Sequence, residues 1–152
     1  MDTRMFTRRT RFERAQPTTA DELLDRFTAG ERDFPGVSIA HANLRNTHLE
    51  GVNLCGARLL WANAAGIHLS GAYLSFINLF QAHLHLADLK SCDLGYADLR
   101  EADLSGADLR GANLEHADLR AADLTGALLE GASLRGARLE HSRLHTKAHA
   151  SR

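Results

Sequence analysis

The sequence predicts an all-β solenoid wound in four-sided coils of twenty residues, and three observations predict it. From Val37 to Thr146 the chain repeats every five residues without a break in register. Of the 22 pentads in that span, 20 have Leu at the central position; the exceptions are Ile39 and Ala64. Two residues before each centre stands a small or apolar residue, which is Ala in 15 of the 22. The cleanest run, Ala97 to Leu124, reads ADLREADLSGADLRGANLEHADLRAADL.

Helix is the competing structure, because Ala and Leu both favour it. At ~100° per residue, a five-residue step turns successive leucines by ~140° net, so they spread around the cylinder and no face stays apolar. On an extended segment, positions two apart share a face. The centre and the residue two before it then point inward, and the other three face water or turn a corner. Four such sides close one coil, and about five and a half coils at ~4.8 Å each make a rod of ~26 Å. The residue just before the centre is Asp or Asn in 12 of the 22 pentads. These side chains suit a turn, where they bond nearby backbone amides.

Composition agrees with such a core. The 152 residues suffice for one domain, 44% are apolar, and only 6% are aromatic, which leaves Leu and Ala to fill the interior. A net charge of −1 gives no global field that would draw in nucleic acid. Cys55 and Cys92 form neither a disulfide framework nor a zinc spacing. No stretch approaches the ~18 uninterrupted apolar residues of a membrane span. The opening MDTRMFTRRTRFER has no apolar signal core. A cytoplasmic protein without a membrane partner is the expectation.

Taken in order, residues 1–18 form a basic arm with Arg4, Arg8, Arg9, Arg11 and Arg14, expected to be disordered. A capping segment spans 19–31. Within it, Thr19-Ala20-Asp21-Glu22 has the form of a capping box that opens a helix from Ala20 to Ala29, closed by Gly30. Leu23, Leu24 and Phe27 share one face and are expected to cover the first coil, with Phe34 starting its first side. The repeat occupies 32–146, and 147–152 is a disordered tail. After Leu144 the chain reads HTKAHASR, with no apolar cap. A solenoid needs its ends covered. Leu129, Leu134, Leu139 and Leu144 are therefore expected either to meet a second copy end to end or to lie under the tail.

The A(D/N)LxG-like repeat resembles the pentapeptide-repeat family over roughly residues 32–146. The resemblance implies a right-handed quadrilateral parallel β-helix, and LLDRFTAGERDFPGV looks like the entry helix and linker of many members. It also implies frequent end-to-end homodimers. Family proteins that protect DNA gyrase from quinolones resemble a DNA rod with acidic sides, which makes a DNA-mimic binder of gyrase the alternative function.

Residues twenty apart stack on the outside of such a coil. Phe76, Tyr96 and His116 form one column. Leu60 and Phe80 form another with Trp61 beside them, and Tyr73 shares the side of Phe76. With Phe76 and Phe80 read as flanking one corner, Leu60, Trp61, Tyr73, Phe76, Phe80 and Tyr96 are the candidate protein-partner patch, the alternative being a stacking ladder that only stiffens the coil. The span Leu86 to Thr125 carries nine acidic against four basic residues, with Asp88 over Asp108 and Asp103 over Asp123 as the candidate acidic face. The whole repeat balances at only −3, with 12 acids and nine bases, and Arg100, Arg110 and Arg120 interrupt the acids. A mimic of duplex phosphates needs a denser field. His48 and His68 stack with Asp88, and His83 and His85 share a side. No third ligand is evident, so no metal or other cofactor is expected. Cys92 replaces an inward Ala. Ala64 leaves a void that Ile67 fills, unless the wall bulges there. Without a cleft or a paired acid and base, the chain is not expected to be an enzyme. A scaffold that presents its surface to a protein partner, without binding nucleic acid directly, is the primary reading.

Overall fold

The computed structural model describes residues 15–144. Residues 1–14 of the expected arm, 145–146 of the expected repeat and the expected tail 147–152 lie outside the described residues. The repeat winds as a right-handed quadrilateral β-helix. Its register is twenty residues throughout: parallel bridges run unbroken from Asp33–Asn53 to Asp123–Arg143, each pairing the residue before a centre with its equivalent one coil on.

One pentad shows why five residues suffice. The Asn53 amide donates to Arg32 O on the preceding coil (2.7 Å), while those of Leu54 and Gly56 donate to Tyr73 O (2.8 Å) and Ser75 O (2.9 Å) on the next. The Ala57 amide donates back to Leu54 O (3.0 Å) and closes the corner. The remaining amide, that of Cys55, donates to Asn53 Oδ1 (3.1 Å). Every amide of the pentad is thereby satisfied, as buried backbone demands. All 12 Asp or Asn residues before a centre accept the same bond from two residues on, at 2.9–3.5 Å. Pro35 occupies the position of that fifth amide and has none to satisfy.

Every centre from Phe34 to Leu124 is buried, and so is every residue two before a centre from Val37 to Ala127 except Thr47. Thr47 is half-buried and its hydroxyl donates to Leu44 O (2.7 Å). Ala64, Ile67 and Ile77 are all buried, and the ladder continues through Asn63, Ala64 and Ile67 at 2.8–3.2 Å. The larger isoleucines therefore accompany the small centre without a bulge.

The corners carry the backbone cost. The residue two after each centre from Phe34 to Leu139 has a positive φ, ten of them Gly and twelve not. In the left-handed region each L-residue costs about 1–2 kcal/mol.

Helix α1, Ala20–Thr28, caps the first coil. Thr19 Oγ1 accepts from the Glu22 amide (3.1 Å). The Glu22 carboxylate reaches back to the Thr18 amide (2.9 Å), one residue earlier than a capping box requires. Leu23 is fully buried, and Leu24 and Phe27 pack against the core. Arg26 is also buried. It makes a two-pronged bond to Glu31 (2.8 and 2.6 Å), donates to Ala15 O (2.7 Å), and lies 5.5 Å from the Phe34 ring centre.

At the other end Leu129, Leu134 and Leu139 are half-buried and Leu144 is exposed. No described coil follows them.

Candidate interaction surface

Three of the large aromatic side chains stand at the strained corners. Trp61, Phe76 and Tyr96 have φ of 57°, 60° and 58°, in the position that other pentads fill with Gly. They are 42%, 64% and 55% exposed. The twenty-residue period stacks them: Phe76 lies 5.0 Å from Tyr96 at 5° between planes, and Tyr96 lies 4.9 Å from His116 at 17°. Trp61 stacks on His41 at 4.9 Å and meets the edge of Phe80 at 6.3 Å.

Below Trp61 the column turns polar. Trp61 Nε1 donates to Gln81 Oε1 (2.8 Å), and Gln81 Nε2 donates to Glu101 Oε2 (2.6 Å). Arg100 lies 5.2 Å from the Phe80 ring centre. His41, Gln81 and Glu101 were legible from the same period as Trp61 but carried no aromatic signal in that column beyond the histidine.

The expected single patch resolves into two ladders. Phe76 and Phe80 flank one wall and not one corner, because Asn78 and the buried Leu79 lie between them. The wall between the ladders carries Asn78 and Asp98 in register. Leu60 is half-buried next to Trp61, and Tyr73 is exposed on the wall that leads to the Phe76 corner.

The acidic columns exist as geometry: Asp88 bridges to Asp108 and Asp103 to Asp123. Their charge is largely met on the same surface. Arg110 grips Asp108 with two bonds (2.8 and 2.6 Å), Lys90 lies 3.4 Å from Asp88, and Arg143 lies 3.7 Å from Asp123. Asp103 accepts from the Ser105 amide at 3.0 Å. Arg100 and Arg120 hold Asp98 and Asp118 in the same two-pronged way. The Arg110 hydrogen bond is the main reason that the Asp108 carboxyl sits below its ordinary range, and Arg120 does the same for Asp118.

His48 and His68 stack at 4.2 Å between ring centres and 10° between planes. The structure adds a third group that the columns did not reveal. Glu50 Oε1 is 3.0 Å from His48 Nδ1, and ligand atoms of His48, Glu50 and His68 all lie within 4.8 Å of one another. The bond to the His48 ring is the main cause that lowers the Glu50 carboxyl. His85 Nδ1 is instead 2.9 Å from Ser105 Oγ.

Cys92 is buried with its thiol donating to Leu69 O (2.9 Å), and burial pushes that thiol up to about 12, far from a reactive thiolate. Cys55 is half-buried, and both cysteines are free. No helix of the described residues is long and apolar enough to cross a membrane.

Among known proteins, the profile described as "Pentapeptide repeats (8 copies)" matches residues 33–71, 67–106 and 107–145. Comparison with curated protein sequences gives no match. Among solved structures, the pentapeptide repeat protein Rfr23 from the cyanobacterium Cyanothece 51142 is 30% identical, with a TM-score of 0.75 over 79% of this chain and 95% of that one. The pentapeptide repeat protein alr5209 from Nostoc PCC 7120 is 31% identical over 86% of this chain and 99% of that one, with a TM-score of 0.42. Full-length QnrB1, a plasmid-mediated fluoroquinolone resistance protein, is 22% identical over 74% of this chain and 62% of that one, with a TM-score of 0.32.

Proposed function

The chain belongs to the pentapeptide-repeat family, and from that premise we propose that it is a non-enzymatic scaffold whose aromatic corners engage a protein partner. The observation that carries this reading is the placement of Trp61, Phe76 and Tyr96 at positive-φ corners, exposed, where Gly would be relaxed. A strained residue at a surface needs compensation. Ring stacking within the ladders supplies part of it, at about 0.5–1.5 kcal/mol per pair. Burial of the remaining exposed face against a partner supplies the rest. Rigid aromatic anchors lose little conformational entropy on binding and are typical of interface centres. Rings flanked by Arg100 and Gln81 suit an apolar protein surface with a polar rim.

The two free cysteines fit a reducing compartment, which supports a cytoplasmic setting. The solid Leu and Ala interior offers no place for a substrate, which supports a role without catalysis.

Trp61 is the only tryptophan in the chain, so its emission reports on the corner directly. Titration with a co-purified partner is expected to shift that emission to the blue as the indole loses water. Saturating partner with an unchanged spectrum would remove Trp61 from the interface.

The gyrase reading rests on the stacked Asp columns and ranks second because Arg110, Lys90 and Arg143 sit against them. A supercoiling assay decides it: inhibition or quinolone protection at micromolar protein supports it, and no effect removes it. End-to-end pairing through Leu129, Leu134, Leu139 and Leu144 is proposed from the apolar layer they leave open. Light scattering of a dilute sample is expected to give twice the monomer mass, and a monomer alone would reject the dimer.

A further inference from the structure

We propose that His48, Glu50 and His68 form a surface site for a divalent transition-metal ion that clips two successive coils together. The fold places all three ligands. Leu49 points to the axis, so the residues on either side of it, His48 and Glu50, both point outward. The parallel bridge between His48 and His68 then puts the second ring directly on the first, with the backbone fixed by bonds of 2.8 Å from His68 N to Thr47 O and from Leu49 N to His68 O. The result is two imidazole nitrogens and one carboxylate oxygen within 4.8 Å of one another.

This donor set selects the chemistry. Two imidazoles with a carboxylate suit Zn²⁺, Ni²⁺ or Cu²⁺ better than Ca²⁺ or Mg²⁺, which prefer all-oxygen shells. A tetrahedral zinc with bonds of ~2.0–2.1 Å needs its ligand atoms ~3.3 Å apart. His48 and Glu50 are exposed and His68 is half-buried, so the side chains have room to rotate toward that spacing. Three protein ligands leave a fourth position for water or for a ligand from a partner. His68 also bridges to Asp88, whose carboxylate Lys90 already holds at 3.4 Å. Asp88 thus stands behind the site and not in it. His48 Nδ1 and Glu50 Oε1 stand 3.0 Å apart, so two of the three groups already face each other.

The test is titration of the full chain with Zn²⁺ alone, followed by calorimetry and by the thermal midpoint, beside His68→Asn and Glu50→Gln. Asn already occupies the equivalent position at Asn43 and Asn53, so His68→Asn keeps the wall intact. The proposal expects the wild type to bind one more equivalent of zinc than His68→Asn. It also expects Glu50→Gln to weaken that equivalent by at least ~10-fold, since even loss of an outer partner of a metal ligand costs that much. Zinc is expected to raise the midpoint of the wild type and not that of His68→Asn. Equal zinc uptake by the wild type and His68→Asn would assign binding to other histidines and overturn the site. So would an unaltered affinity in Glu50→Gln, or no uptake by the wild type.

Discussion

A single polar atom decides much of this fold. Where Asp or Asn precedes a centre, its Oδ1 accepts the one amide that neither neighbouring coil reaches, which is why these two residues dominate that position. This role was legible from spacing alone. The left-handed corners were legible only where Gly marks them; the other twelve carry no local signal and follow from the period. Glu50 was missed because residues were compared twenty apart, while its partner His48 lies two away across an inward leucine. The corners give a graded prediction. A Cβ on Gly71 meets nothing within 4 Å, whereas one on Gly106 falls 2.8 Å from Leu86 Cδ2. Both glycines have φ near +68°. Gly71→Ala is expected to cost about 1–2 kcal/mol from backbone strain, and Gly106→Ala to cost more because Leu86 must also move. Urea melts of the two variants check the order.

At the level of the element, α1 was predicted to within a residue of its observed end because its cap, its apolar face and Gly30 all agree. Its anchor was not predicted. An Arg beside an acid on a short helix reads as a solvated pair, yet Arg26 is buried between Glu31, Ala15 and the Phe34 ring. Replacing it leaves Glu31 without that partner and opens the lid over Phe34. Arg26→Ala is expected to destabilise the capping segment by about 2 kcal/mol. Hydrogen exchange should then rise first in Phe34, Val37 and Ile39, with the middle coils protected. Uniform protection would show that the cap does not depend on this contact. The acidic walls form a second kind of element. Arg110, Arg120 and Arg135 hold Asp108, Asp118 and Glu115 below the ordinary carboxylate range. Groups depressed in the fold stabilise it fully above their unfolded values, near 3.8 for Asp and 4.5 for Glu, and lose that contribution as pH falls through the folded values. The urea midpoint is therefore expected to hold from about pH 7 to about pH 5 and to fall below about pH 4. The pairs are largely exposed, so the decline is modest.

Across the whole molecule, period five gave the square coil, its core and its register, because no other backbone keeps every fifth leucine on one side. Handedness is not contained in the period and came from family resemblance. The separation of the aromatic patch into two ladders was hidden for a related reason: the period gives columns, but the width of a wall is a property of the folded coil. Leu104 tests the axis itself, being fully buried in the middle of the rod. Leu104→Arg buries an unpaired charge and is expected to cost on the order of 5 kcal/mol, enough to abolish the β-rich circular dichroism.

The proposed role depends on the corners, and a matched pair of proteins measures that dependence. Tyr96→Gly combined with Trp61→Gly relaxes two strained corners while it removes the rings, so its thermal midpoint is expected to stay near that of the wild type. Quantitative capture of partners from native cells by the two proteins, at equal loading, is the deciding measurement. The account predicts that a discrete partner retained by the wild type is lost from the folded double variant. Equal capture of that partner by both would contradict it.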